Sequence, residues 1–131
     1  MEYVGVVLVS HSHELVKGLK QLLSQVNPHV PIALAGGTDE GEIGTSVDQI
    51  QNAIKSVYSD KGVIVFFDLG SALINTELAL EQLAEDHITK VHIADAPLVE
   101  GAYVAVVESG CGSTLEKVIK VTLEAKSLTK K

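Results

Sequence analysis

Apolar residues along this chain fall into two alternating kinds of run. Four are short and nearly unbroken: Tyr3 to Val9 (YVGVVLV), Val30 to Leu34 (VPIAL), Gly62 to Phe67 (GVIVFF) and Lys90 to Ala94 (KVHIA). Runs of this kind, rich in β-branched residues, predict strands buried on both faces, as in a parallel sheet. Between them the spacing becomes helical: Leu15, Leu19, Leu22, Leu23 and Val26; then Val47, Ile50, Ile54 and Val57; then Leu73, Leu78, Leu80 and Leu83 with Ala79 and Ala84. After the fourth run Pro97 stands near a helix start, and an Ala/Val-rich helix is expected to about Glu108. Ser109-Gly110-Cys111-Gly112 interrupts it, and Ser113 with Glu116 reads as a capping box opening a last helix from Leu115 to about Ala125. Thr45 with Asp48 reads as an N-terminal capping pair of the same sort.

Strictly alternating strands and helices with right-handed crossovers define an α/β fold. The expectation is a single doubly wound domain, residues 1–131, with a four-stranded parallel sheet in the order 2-1-3-4 flanked by about five helices. No internal repeat or low-complexity segment interrupts the pattern.

Composition narrows the function. The chain is 46% hydrophobic, yet its apolar runs are far shorter than the roughly 18 to 20 residues a membrane-spanning helix needs. Met1-Glu2-Tyr3-Val4 lacks a basic leader region, so no secretory signal is expected and the cytoplasm is the default location. A net charge of −7, with no Lys/Arg cluster outside the C-terminal tail, cannot supply the electrostatic attraction on which nucleic-acid binding depends. The single Cys111 makes no internal disulfide. Among five histidines only His11 and His13 are close, at a spacing that does not put both on one helical face, so neither a metal site nor any other cofactor is expected.

Ligands of open parallel sheets bind beyond the carboxyl ends of the strands, where the strand order reverses, here between the first and third strands. Ser10-His11-Ser12 ends the first strand, Ala35-Gly36-Gly37-Thr38 follows the second, and Asp68-Leu69-Gly70-Ser71 ends the third. A histidine at an element end often does no more than bond a backbone carbonyl. This one falls where a helix begins, whose free N–H groups and positive dipole end favour an anion. Asp68, at the matching level of the neighbouring strand, can accept from one imidazole nitrogen and leave the other as a nucleophile able to carry a phosphoryl group. Ser12 and Ser71 can donate hydroxyls to its oxygens, or simply cap their helices. The long loop from Ala35 to Ser46, with Gly36, Gly37, Gly41 and Gly44, allows backbone to approach a ligand or partner closely. His13 is expected to point to solvent, His29 and His87 to sit in turns, and His92 to be structural; Cys111 lacks a base beside it in sequence.

Several chemistries are missing. No G-x-S-x-G elbow supports a serine hydrolase, and neither G-x-x-x-x-G-K-[ST] nor G-x-G-x-x-G follows the first strand. A receiver domain would also place an Asp at Asp68, but it needs acidic residues at the end of the first strand to hold Mg²⁺. That place holds Ser10-His11-Ser12. A small α/β binding module with a structural histidine remains the plain alternative.

Four segments together resemble a known family: VSHS closing the first strand, AGGTDEGEIGTS after the second, FFDLGSAL closing the third, and ADAPLVEGAYVA after the fourth. They are similar to the DhaM family, the phosphotransferase subunits of phosphoenolpyruvate-dependent dihydroxyacetone kinases, which in turn resemble mannose-type enzyme IIA. The resemblance implies that His11 is phosphorylated, that Asp68 is its partner, and that Gly36, Gly37 and Thr38 line the rim. It implies phospho-HPr as donor, ADP on a separate kinase subunit as acceptor, and a homodimer. Some family members are fused to an HPr-like domain and an enzyme I fragment, so here HPr is expected on another chain. A mannose-type enzyme IIA serving a sugar transporter is the alternative, but such proteins usually carry a Gly-Gly-Ser-Pro-like segment where this chain has Leu69-Gly70-Ser71-Ala72.

Overall fold

The computed structural model describes residues 2–131. Its elements run β1 (Gly5–Ser10), α1 (His13–Val26), β2 (Ile32–Gly36), α2 (Val47–Val57), β3 (Val63–Phe67), α3 (Gly70–Glu85), β4 (Val91–Ile93), α4 (Leu98–Gly110) and α5 (Leu115–Glu124), with a 3-10 turn over Ala125–Ser127. All strand pairs are parallel and the order is β2-β1-β3-β4, as the sequence predicts. Among the described residues no helix is long and apolar enough to cross a membrane.

The strands' alternation feeds two cores. Val6, Leu8, Ile64 and Phe66 face α1, α4 and α5 through Val16, Leu19, Leu23, Ala102, Val106 and Val118. Val7, Val9, Val63 and Val65 face α2 and α3 through Ile50, Ile54, Ala72, Ala79 and Leu83. Both faces of β1 and β3 are therefore buried, which is why those strands read as unbroken apolar runs. Each fully buried Val, Leu or Phe contributes about 1.5–3 kcal/mol relative to remaining in water.

Boundaries shift where backbone chemistry intervenes. The second strand begins at Ile32 rather than Val30, because Pro31 has no N–H to give the ladder; its carbonyl still accepts from Val6. The strand runs on through Gly36, so the following loop occupies 37–46. Strand β4 is only three residues long. The helix after Pro97 continues through Ser109-Gly110 rather than breaking there, and the buried Ser109 hydroxyl donates to the Val4 carbonyl at 2.7 Å.

Both capping expectations are off by one residue. Helix α2 is capped by Ser46, which accepts from Gln49 N at 3.2 Å, while Thr45 Oγ1 instead accepts from Asn75 Nδ2 of α3 at 2.7 Å. Helix α5 is capped by Thr114, accepting from Lys117 N at 3.2 Å, while Ser113 donates to Glu108. Helix α3 starts at Gly70 behind Leu69, with no side-chain cap.

A polar switch-point site

The end of β1 and the end of β3 are neighbours, and the residues that follow them converge. Asp68 N donates to the Val9 carbonyl at 3.2 Å, which sets the Asp68 side chain level with the Ser10-His11 segment. Its carboxylate is filled by donors. Oδ2 accepts from Ser10 Oγ at 2.7 Å and from His11 N at 3.0 Å. Oδ1 accepts from Leu69 N at 2.7 Å and meets His11 Nδ1 at 3.0 Å. Burial pushes the Asp68 carboxyl up, but the bonds from Ser10, the His11 backbone and ring, and Leu69 outweigh it and hold the group below the usual value of 3.8.

An ionised Asp68 fixes the imidazole. A carboxylate only accepts, so Nδ1 carries the hydrogen and Nε2 presents its lone pair. Ser71 Oγ, in the first turn of α3, lies 2.7 Å from Nε2 and donates to it. Beside this pair, α3 starts with no side-chain cap: Ala72 N donates to the Leu69 carbonyl at 2.9 Å, and the N–H groups of Gly70 and Ser71 stand ahead of that bond, a positive pole next to the nucleophilic nitrogen. The ring itself is partly exposed, with 21% of its side chain open against 12% for Asp68.

Ser10 was not among the residues singled out by sequence, although it is central. Fully buried, it donates to Asp68 and accepts from Ser12 N at 3.0 Å. The signal was present: a hydroxyl closes an otherwise apolar strand, and a buried hydroxyl must find partners. Ser12 is the cap of α1, its Oγ accepting from Leu15 N at 3.3 Å. The N–H groups of His11 and Ser12 are thus committed to Asp68 and Ser10, and the free helix-end donors near Nε2 belong to α3.

The second loop stands on the other side of the same turn. Gly36 lies under the start of α1, where an added Cβ would come within 2.6 Å of Val16 Cγ2 and 2.7 Å of His13 Cα. Gly37, at φ +77°, donates to the Ser10 carbonyl at 3.1 Å, and Gly44 donates to the His11 carbonyl at 2.9 Å. Thr38 closes the loop on itself, its Oγ1 accepting from Glu42 N at 3.1 Å. Gly36 and Thr38 wall a cleft shared with Ser12, His13 and Glu14. His13 is exposed there. His29 and His87 lie in turns, and His92, in edge strand β4, has its pKa lowered by burial. Among the described residues no cluster of potential ligands could hold a metal.

Fold and site together define a doubly wound α/β protein with a carboxylate-anchored histidine at the point where the strand order reverses, its outer nitrogen turned toward Ser71. Residues 5–119 match the EIIA-man family, described as the PTS system fructose IIA component, and the chain belongs to that family. It is 42% identical to the phosphotransferase subunit DhaM of the PTS-dependent dihydroxyacetone kinase of Lactococcus lactis, covering 92% of this chain and 93% of that protein. It is 44% identical to the phosphoryl donor subunit DhaM of PEP-dependent dihydroxyacetone kinase 1 of Listeria innocua, over 76% of each chain. The crystal structure of EF1359, a protein of unknown function, superposes with a TM-score of 0.83 at 33% identity and covers 94% of both chains.

Proposed function

We propose that the chain is a single mannose-type IIA-like domain acting as the phosphohistidine carrier of a phosphoenolpyruvate-dependent dihydroxyacetone kinase, with phospho-HPr as donor and kinase-bound ADP as acceptor. One observation carries the reading: Asp68 occupies Nδ1 of His11 and so directs the lone pair of Nε2 outward, beside the uncapped start of α3. The similarity to DhaM subunits supplies the identity of donor and acceptor. A cytoplasmic setting follows from those partners.

In the transfer, Nε2 attacks phosphorus in line while the phosphorus–nitrogen bond of the donor breaks. The donor imidazole leaves with the bonding electron pair. His11 becomes a phosphoimidazolium that keeps its Nδ1 hydrogen, and its positive charge falls against ionised Asp68 at 3.0 Å. Ser71 must release Nε2 before attack, and its hydroxyl then turns to a phosphoryl oxygen together with the free N–H groups of α3. Catalysis here is positioning and electrostatics, with no metal required on this chain. Passing the group on reverses the step, ADP taking phosphorus and His11 returning to neutral imidazole.

The carrier is proposed to work as a homodimer. Leu22 and Val26 of α1 and Val99, Tyr103 and Val107 of α4 stand exposed in two adjacent stripes, with Leu128 beside them. Glu100 among them is paired with Lys130, so the patch adds no net charge where a second copy of a chain at −7 would meet it. Sedimentation should give a dimer for the native chain and a monomer for Leu22→Glu/Tyr103→Glu; an unchanged dimer would place the contact elsewhere.

Discharge tests the acceptor. Phosphorylated protein is mixed with the ADP-loaded kinase subunit, or with the transporter component that mannose-type IIA proteins serve. Loss of label to the kinase alone is expected; loss to the transporter alone would replace this reading with the sugar-transport one.

A further inference from the structure

Among the described residues, Thr122 Oγ1 of α5 is the only buried side-chain nitrogen or oxygen that makes no hydrogen bond. The other buried hydroxyls are committed: Ser10 donates to Asp68, Thr76 to the Ala72 carbonyl and Ser109 to the Val4 carbonyl. Thr76 shows the ordinary solution for a helix, a bond back to the carbonyl four residues earlier, at 2.9 Å. Thr122 does not take it. Its companions on the buried stripe of α5 are Leu115 and Val118, so a valine of the same shape would fill the position without stranding a hydroxyl.

Thr122 borders a cavity. Between β4 and α5 lies a space of about 180 Å³, lined by Ile64 of β3, by His92 and Ala94 on the side of the edge strand, and by Ile119 and Thr122 of α5. The parallel register sets His92 beside Ile64, whose side chain belongs to the core under α5. None of these residues takes part in the His11 site. An apolar cavity of about 150 Å³ takes a benzene ring, so this one holds a compact body of about six to eight non-hydrogen atoms. Asp95 at the rim is paired with Lys126 at 2.8 Å, and burial holds His92 toward its neutral form. An ion, phosphate included, would meet apolar walls and no uncommitted charge to balance it.

We propose that the cavity between β4 and α5 is a binding site for a small neutral molecule of the phenol class, with an apolar body and one hydroxyl that pairs with Thr122 Oγ1. The walls bury the body, and the single polar group fixes its orientation. A polyol of the same size would bury hydroxyls that find no partner, so the site discriminates against it.

The test uses phenol as the probe and the full chain. In ¹⁵N and methyl NMR, residues 64, 92–94, 119 and 122 should move together on titration with phenol and stay in place with glycerol. Thr122→Val keeps the shape and removes the hydroxyl; it should weaken phenol binding about three- to tenfold, the worth of one hydrogen bond, while benzene binds within about twofold of native. The same variant should unfold at or above the native midpoint, which shows that the loss is not a loss of folding. Ala94→Leu fills the cavity and should abolish binding of both probes. No shift at these residues, shifts centred elsewhere, or phenol binding to Thr122→Val as tightly as to the native protein would each overturn the site.

Discussion

Replacing Asp68 by asparagine looks conservative and is expected not to be. Each carboxylate oxygen accepts from a backbone N–H: Oδ2 from His11 and Oδ1 from Leu69. An amide has one oxygen and one NH₂, so whichever way the new side chain turns, its NH₂ faces one of those N–H groups. One donor loses its partner, at a cost of up to about 1–3 kcal/mol if it is the part-buried His11 N–H and less if it is the exposed Leu69 N–H. If the NH₂ lies at the Oδ1 position it also faces Nδ1 and drives the ring hydrogen to Nε2, blocking the nucleophile. If it lies at Oδ2, the ring keeps its tautomer but loses the anion that balances the phosphoimidazolium. A hydrogen bond to a charged group is worth about 1.5–3 kcal/mol, which corresponds to roughly a 10- to 150-fold slower phosphorylation at 1.36 kcal/mol per decade. The assays are chemical denaturation, the initial rate of labelling from phospho-HPr, and ¹⁵N NMR of the His11 ring. An Asp68→Asn variant that unfolds at the native midpoint and labels within twofold of the native rate would refute this account of Asp68.

Ser10→Ala leaves Asp68 and Ser12 N each short of a partner and should slow labelling about 3- to 10-fold; Ser10→Thr should restore much of the rate and the ring tautomer, a recovery that general loosening would not give. Gly36→Ala should cost about 1–3 kcal/mol in denaturation, because the new Cβ meets Val16 and the His13 backbone at under 3 Å. The pH dependence of stability has two windows with the same sign. Asp68, lowered in the fold, binds protons more readily when unfolded, so its contribution is present above pH about 4 and is lost as pH falls through its lowered folded value. His92, also lowered, makes stability fall as pH drops below about 6.5, and His92→Gln should remove the slope in this upper window in urea titrations at pH 5 to 7.

The sheet was legible because burial on both faces of β1 and β3 leaves no room for polar residues in the strands, and the crossover rule then permits few orders. His11 and Asp68 were legible for a related reason: the switch point selects strand ends, and only two carried this chemistry. What sequence missed depends on choices between near-equivalent neighbours. Thr45 and Ser46, like Ser113 and Thr114, are adjacent hydroxyls either of which can cap a helix, and the decision falls to tertiary partners such as Asn75. Leu15 and Leu22 keep helical spacing with Leu19 and Leu23 yet face outward, since spacing identifies a helix without saying how wide its buried stripe is. Ser10 was hidden by the histidine beside it, and its role depends on an aspartate 58 residues away.

Phosphate transfer to Nε2 of His11 is the claim on which the functional account stands. Native protein and His11→Ala should be incubated with phosphoenolpyruvate, enzyme I and HPr, and the products followed by ³¹P NMR and peptide mass spectrometry. The account predicts one acid-labile phosphate per native chain, bonded to Nε2 of His11, and none on the variant. Full labelling of His11→Ala, or phosphate on Nδ1, would contradict it.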